Sequence, residues 1–306
     1  MGILINVLII ILIFTILYFA IGIYFYNFAI NRHVSKDFVG LEEPPREEKE
    51  RREKWISENS KDVYITSTHN GELKLHSYEI KAKQKTSTWV IVIHGYSIEG
   101  KGMQPYAEEF FKRGYNVLLV DLRGAGKSEG HYIGMGWHER LDIIDWINYL
   151  VKKDTNCKII LYGISMGAAT VMMTTGENIP KNVKLAIEDC GYTSVYDIFS
   201  YQVKKLFKLP PKPILAMAGT VTKIKAGFSY KEASCMEQVK KSKTPTLFIH
   251  GDKDDFVRFD MLDELYNQAK CKKEKLVIEG AVHAESAEVD PEKYWGKVDD
   301  FIKKYI

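Results

Sequence analysis

Cysteine is scarce and scattered in this chain of 306 residues. Its four cysteines lie far apart and form no C-x-x-C pair, so neither a metal site nor a disulfide framework is predicted. A large charge of either sign is also missing, because the formal net charge is only +3 at pH 7. Nucleic-acid-binding proteins usually concentrate a basic face, so we do not expect nucleic acid as a partner. The length allows one α/β domain and an appendage.

Charged residues are absent from residues 3–30. This apolar run is long enough to cross a bilayer, which needs about 20 residues, and we predict that residues 1–30 are a transmembrane anchor. A secretory signal peptide is the first alternative, but it would have a basic start, and "MGILIN" contains no Lys or Arg. The second alternative, a buried core helix, is rarely this long.

A charged segment follows the apolar run. Residues 31–60 are predicted to be a linker, in which "EEPPREEKERREKW" offers opposite charges at i,i+4 spacing and so favours a solvated helix. Lipid binding by this segment is the alternative. Basic residues follow the anchor and none precedes it, so the positive-inside rule favours a single-pass protein of the cell membrane with its C-terminal domain in the cytoplasm.

Strand and helix patterns alternate over residues 61–306. Two partly alternating segments flank Asn70-Gly71, a pair typical of hairpin turns, and predict antiparallel strands. Six short apolar runs then predict mostly parallel strands, and "WHERLDIIDWINYLVKK" predicts a helix. Its predicted apolar face is Leu141, Ile144, Trp146, Ile147 and Leu150. This order indicates a doubly wound α/β sheet with its ligand site beyond the carboxyl ends of the strands.

One of these strands ends in "VDLRGAGKSEG", whose Gly-Lys-Ser resembles part of a phosphate-binding loop. Such a loop requires a glycine at the position where this chain has Asp121. A carboxylate there would repel phosphate, so we do not expect a nucleotide or any other cofactor.

A different glycine pattern follows the strand "KIILYG". Gly163, Ser165 and Gly167 form G-x-S-x-G between a strand and a predicted helix, which is the arrangement of a nucleophile elbow. A serine nucleophile requires a histidine base, and the histidine requires a carboxylate. His283 follows the last predicted strand and is the natural base. The residue pattern alone leaves the acid open among three residues of the preceding strand end, which are Asp252, Asp254 and Asp255.

In combination and in this order, "HGYS", "DLRGAGKSEG", "GISMG", "HGDKDDFV" and "GAVHAES" resemble the α/β-hydrolase superfamily. Within it, the chain is similar to serine aminopeptidase-like and lysophospholipase-like hydrolases with an N-terminal membrane anchor. The resemblance implies the α/β-hydrolase fold and places the acid at Asp254. It also implies that Asp121 and Arg123 are structural, and that Lys127 is an ordinary loop residue.

An oxyanion hole in such a fold uses the backbone N–H after the nucleophile and one from an earlier loop. These positions are Met166 and Tyr96. Ser97 is a weaker alternative nucleophile, because it lacks the flanking glycine geometry of G-x-S-x-G.

The segment between "VKLAIEDC" and "TPTLFIHG" is too long for a simple connection, so a helical cap is predicted at about residues 191–243. Its predicted apolar underside favours an acyl or other lipid-like small-molecule substrate. It comprises Ile214, Leu215, Met217, Val221 and Phe228. We therefore expect a membrane-anchored serine hydrolase of carboxylic esters or thioesters. A serine peptidase with the same triad and a catalytically silent scaffold that binds a partner are the alternatives.

Overall fold

An eight-stranded sheet lies at the centre of the protein, seen here in a computed structural model that describes residues 1–34, 44–69 and 71–306. The strands are β1 (Ser60–Thr66), β2 (Lys74–Ile80), β3 (Thr88–Ile93), β4 (Asn116–Val120), β5 (Lys158–Ile164), β6 (Val183–Asp189), β7 (Thr246–Gly251) and β8 (Lys273–Ile278). Their order is β1-β2-β4-β3-β5-β6-β7-β8. The first two strands run antiparallel, as predicted, and β3 to β8 are parallel to one another. Asn70 of the predicted hairpin turn lies outside the described residues.

The central strands are buried on both faces, which explains their continuous apolar sequences. Along β3, Ile91 and Ile93 belong to one hydrophobic cluster, while Val90 and Val92 belong to the other. Side chains of a strand alternate between faces, so each such strand contributes to both layers. The helices that cover the sheet outside the cap are α3 (Gln104–Lys112), α4 (Glu139–Lys153), α5 (Met166–Thr175), α9 (Asp260–Gln268), α10 (Ser286–Val289) and α11 (Pro291–Tyr305).

The buried face of α4 differs from the predicted one. Leu141 and Ile144 are only half-buried, whereas Glu139 and Asp142 are buried. Asp142 can leave water because it accepts two hydrogen bonds from the buried guanidinium of Arg123, each 2.6 Å long. A simple apolar periodicity does not reveal this ion pair.

A helical insertion between β6 and β7 covers the carboxyl ends of the strands. It contains α6 (Val195–Gln202), a π-helical turn (Val203–Phe207), α7 (Pro211–Ala226) and α8 (Cys235–Val239). Pro210 and Pro211 stand at the start of α7, where proline is tolerated because the first N–H groups of a helix need no intrahelical acceptor. The predicted apolar underside is buried except Met217, which is half-buried.

The apolar N-terminal run forms one long helix, α1 (Gly2–Ala29). Residues 2–17 are exposed, whereas the later turns pack against α7. At Gly22 the two helices approach so closely that a Cβ atom would lie 2.6 Å from the carbonyl oxygen of Met217. The chain then continues into the domain, where the carbonyl of the fully buried Ile30 accepts a hydrogen bond from the N–H of Ile133 (2.8 Å).

The charged segment also contains a helix, α2 (Arg46–Asn59). Among the opposite charges that this segment offers at i,i+4 spacing, Glu48 and Arg52 form an ion pair at 2.8 Å. The helix is not solvated all round, however, because Ile56 is buried and the ring of Trp55 meets that of Phe111 on α3. Residues 35–43 of the predicted linker lie outside the described part of the chain.

Candidate active site

Ser165 occupies a sharp turn between β5 and α5. Its φ of 57° and ψ of −117° are strained for a residue with a side chain. The glycines on either side are required by space: a Cβ on Gly163 would lie 2.3 Å from the carbonyl oxygen of Gly167, and one on Gly167 would lie 2.1 Å from that of Ile93. These contacts leave no room for a side chain at either glycine of the G-x-S-x-G pattern.

Three of the predicted residues form a continuous chain of hydrogen bonds. Nδ1 of His283 lies 2.7 Å from Oδ2 of Asp254, and Nε2 lies 2.9 Å from Oγ of Ser165. An ionised carboxylate only accepts hydrogen bonds, so Nδ1 carries the proton and Nε2 is free to accept that of the serine. The three side chains come from the ends of β5, β7 and β8, which meet at one edge of the sheet.

The two neighbouring carboxylates are placed elsewhere. Oδ1 of Asp252 accepts a hydrogen bond from the N–H of Gly280 (2.7 Å), and the side chain of Asp255 is 79% exposed and pairs with Lys205. Neither side chain is hydrogen-bonded to His283, whose carboxylate partner is Asp254. Of the three candidate acids, therefore, the structure joins Asp254 to the histidine.

Asp254 is held as an anion by its surroundings. Burial raises the pKa of this carboxyl, but hydrogen bonds with His250 and His283 outweigh burial and lower it. The backbone N–H groups of Phe256 and Val257 also donate to Oδ1, each at 2.9 Å. The carboxylate is thus fixed in orientation and in charge.

Comparisons with known proteins agree with this geometry. A family model described as "Serine aminopeptidase, S33" matches residues 84–193, which include the serine turn. The protein YqkD of Bacillus subtilis is 27% identical over 232 residues, covering 74% of this chain and 76% of the relative. The AB hydrolase superfamily protein YisY of the same organism is 23% identical, covering 58% and 78%. An esterase of Pyrococcus furiosus superposes with a TM-score of 0.68 at 26% identity, covering 82% of this chain and 93% of the esterase.

The chain is an α/β-hydrolase. Both the predicted fold class and the predicted superfamily are confirmed by the family match and the structural neighbour. The matched family region ends before Asp254 and His283, so the contact of these two residues with Ser165 is an observation from the structure of this chain.

The two predicted oxyanion positions flank the serine of this α/β-hydrolase. Met166 is the first residue of α5, so its N–H belongs to a helix start. Tyr96 follows Gly95, at which a Cβ would lie 3.5 Å from that of Ser165. Ser97, the alternative nucleophile, also has a positive φ, of 68°, but the hydroxyl that lies against Nε2 of His283 is that of Ser165.

His94 holds the Tyr96 loop and was not singled out from the sequence. Its Nε2 accepts a hydrogen bond from the N–H of Leu122 (3.0 Å), and Nδ1 lies 2.8 Å from the carbonyl of Gly95. The ring is therefore neutral with its proton on Nδ1. Complete burial lowers the pKa of His94 and so keeps this form. The histidine in "HGYS" was the available signal.

An apolar pocket opens beside Ser165. Its walls come from the cap, from Tyr96 and Met166, and from the last turns of α1. The lining residues that the structure describes include no Asp or Glu, and apart from Ser165 and the tyrosines they offer one polar side chain, Gln202. This surface suits an apolar group of a substrate.

The glycine loop after β4 has a structural part. Asp121 accepts hydrogen bonds from the N–H groups of Gly100 (2.7 Å) and Lys127 (2.9 Å). At Gly126, with φ of 51°, a Cβ would collide with this carboxylate at 2.2 Å. Nζ of Lys127 forms an ion pair with Asp62 (2.6 Å). Asp121 thus accepts hydrogen bonds from backbone N–H groups. Arg123 forms an ion pair with Asp142.

A buried polar layer lies behind the candidate triad. Nε2 of His250 is 3.1 Å from Oδ2 of Asp254, although the sequence suggested no part for this histidine beyond its place at a strand end. Burial lowers the pKa of His250, but the carboxylate of Asp254 outweighs burial and raises it. Glu188 is also buried, and burial raises its pKa to about 8.

One set of side chains has the donor atoms of a metal site. Cys190, Asp254 and His283 bring their donor atoms within 4.8 Å of one another. Burial raises the pKa of the Cys190 thiol, whereas metals bind the thiolate. Asp254 and His283 are also engaged with each other, so this set fits a metal ion poorly.

Proposed function

We propose that this α/β-hydrolase cleaves carboxylic esters or thioesters through an acyl-enzyme on Ser165, while α1 holds it in a membrane. The observation that supports this most is the continuous hydrogen-bond chain from Asp254 through His283 to Ser165. A serine hydroxyl becomes a useful nucleophile only when a base of this kind accepts its proton.

In the proposed reaction, Oγ of Ser165 attacks the substrate carbonyl while its proton passes to Nε2 of His283. Asp254 stabilises the resulting imidazolium and keeps its orientation. The N–H groups of Met166 and Tyr96 would stabilise the developing oxyanion. His283 then donates its proton to the leaving alcohol or thiol, and a water molecule activated by the same ring releases the acid.

An ester or thioester is favoured over a peptide with a free amine by the pocket itself. An ammonium group in an apolar site requires an acidic partner, and the described lining residues provide none. The name of the matched family, a serine aminopeptidase, is the observation in favour of the peptidase. A direct comparison of acyl esters with aminoacyl nitroanilides distinguishes the two, and the ester should be the better substrate.

The test of the mechanism is covalent labelling of the full chain in detergent. A fluorophosphonate should label the wild type, and Ser165→Ala should abolish both labelling and ester turnover while the folded protein remains. Loss of a triad serine costs on the order of 10⁶ in kcat in subtilisin. Folded wild type that takes up no probe would support the silent scaffold instead.

A further inference from the structure

The last turns of α1 form one wall of the pocket, in addition to connecting the apolar part of this helix to the domain. Phe25, Phe28 and Ala29 line it together with cap residues and Ser165. Oη of Tyr96 donates a hydrogen bond to the carbonyl of Ala29 (2.8 Å). The ring of Phe25 meets that of Phe207 in the cap with centroids 5.0 Å apart. The pocket is therefore incomplete without the end of the apolar helix.

α1 and α7 run in the same direction. Tyr18 contacts Ala216 and Thr220 through its hydroxyl, at 3.1 and 2.9 Å. Further along α1, Nζ of Lys225 lies 5.2 Å from the centroid of the Tyr26 ring. Residue numbers therefore increase in the same direction along both helices. The start of α7 points toward the exposed, apolar end of α1.

The length of α1 places the start of α7 near lipid. The exposed residues 2–17 span about 24 Å at about 1.5 Å per residue, whereas the hydrocarbon core of a bilayer is about 30 Å thick. Filling that core requires about four more residues, which are residues 18–21 and include Tyr18. Because Tyr18 is bonded to Ala216, the cap at this level would meet the lipid boundary.

The cap surface at this end has the composition of a lipid-contacting surface. Residues 203–227 contain six lysines and no Asp or Glu. Leu206 and Leu209 are 41% and 40% exposed, among the exposed side chains of Lys204, Lys208 and Lys212. Leu206 also lines the pocket, so this surface, residues 204–216, is continuous with the pocket wall. Lysines near a bilayer favour anionic headgroups, and their stems lie along apolar surface.

We propose that the surface of residues 204–216 lies on the lipid bilayer and that the pocket receives the acyl chain of its substrate directly from the membrane, along α1. This inference rests on the proposed esterase reaction and identifies its substrate as an acyl lipid dissolved in the bilayer. The occupant of the surface is lipid, because the surface is apolar and basic and adjoins the exposed turns of α1.

The first experiment tests the wall. Full-length protein in phosphatidylcholine–phosphatidylglycerol vesicles is assayed with nitrophenyl butyrate and with nitrophenyl palmitate dissolved in the bilayer. Ala29→Phe should lower the palmitate-to-butyrate ratio of kcat/KM by about tenfold or more, because it fills the acyl space. Ala20→Phe, the same change on an exposed turn of α1, should leave that ratio unchanged. Phe28→Ala, which enlarges the pocket, should move chain-length preference in the opposite direction.

The second experiment tests the surface. Leu209→Asp should lower the palmitate-to-butyrate ratio by about tenfold, because a charge resists contact with lipid. Ile224→Asp, at the far end of α7, is the matched control and should leave the ratio unchanged. Equal ratios in Ala29→Phe, Leu209→Asp and their controls would overturn the proposal while the ester reaction stood. Absence of fluorophosphonate labelling and butyrate turnover in the wild type would instead overturn the proposed reaction, and this proposal with it.

Discussion

Two aspartate–histidine pairs in this molecule have nearly the same geometry and different surroundings. Asp254 meets Nδ1 of His283 at 2.7 Å, and Asp121 meets Nδ1 of His76 at 2.7 Å. The opposite nitrogen of His283 faces the hydroxyl of Ser165, whereas that of His76 faces the carboxylate of Asp62 (3.1 Å). An Asp–His pair is therefore not a catalytic signature by itself, because the group beyond the ring decides what the pair can do.

Exposure separates the two pairs further. The His283 side chain is 18% exposed next to the pocket, whereas that of His76 is fully buried. Burial also opposes the ionisation of both aspartates, and in each the hydrogen bonds with histidine help to lower the pKa below its usual range. In the proposed reaction, one carboxylate orients a ring that exchanges a proton with the substrate. The other holds together the glycine loop after β4.

The largest expected effect is on turnover by the pair that faces the serine. Asp254→Asn should lower kcat by about 10⁴, because an amide favours the wrong tautomer of the histidine. Asp252→Asn and Asp255→Asn are the matched controls, since these side chains are bonded to Gly280 and Lys205 and not to His283. Steady-state ester kinetics on the three variants would show a misplaced acid if all retained equal activity.

Substitution of Asp121, whose partner His76 faces a second carboxylate, should lower stability and leave turnover nearly unchanged. Asp121→Asn leaves the amide nitrogen facing at least one of the N–H groups of Gly100 and Lys127. Losing a buried, charged acceptor costs about 1 to 3 kcal/mol. Thermal unfolding in detergent should therefore shift downward, while kcat per fluorophosphonate-labelled site stays close to that of the wild type. A loss of kcat as large as in Asp254→Asn would make the two pairs functionally alike.

A third buried carboxylate shows what happens when burial is not compensated. Burial raises the pKa of Glu188 from its ordinary value of 4.5 to about 8. Between these values the native state holds a proton that the unfolded state has lost, so this group lowers the free energy of unfolding as pH rises. Glu188→Gln should remove this decline. Melting temperatures measured from pH 5 to pH 9 in about unit steps check it, and parallel curves for both proteins would contradict it.

Sequence reasoning predicted best what depends on local pattern. The glycines beside Ser165 are identifiable because only the absence of a side chain fits there, and the strands because continuous apolar runs suit a sheet buried on both faces. Asp254 needed the family resemblance, since three carboxylates follow the same strand.

What the sequence could not predict depends on contacts between distant segments. Asp142 is buried on a face of α4 because Arg123 reaches it from the loop after β4. The end of α1 joins the cap across 198 residues, as between Tyr18 and Ala216. An apolar run looks the same in sequence whether lipid or protein covers it.

The smallest expected effect concerns Lys127, which belongs to the loop of the structural pair. Its side chain is 45% exposed, and its ammonium group is paired with Asp62, whose side chain is 43% exposed. Exposed ion pairs contribute about 0 to 1 kcal/mol, so Lys127→Ala should change neither the melting temperature nor ester turnover appreciably. In a phosphate-binding loop the lysine would contact phosphate directly, and its loss would abolish binding.

The backbone N–H of Lys127 already donates to Asp121, which leaves it unavailable to a phosphate. Calorimetric titration of the wild type with ATP and magnesium should therefore give no saturable heat. Saturable heat that vanished in Lys127→Ala would show that this loop binds nucleotide after all.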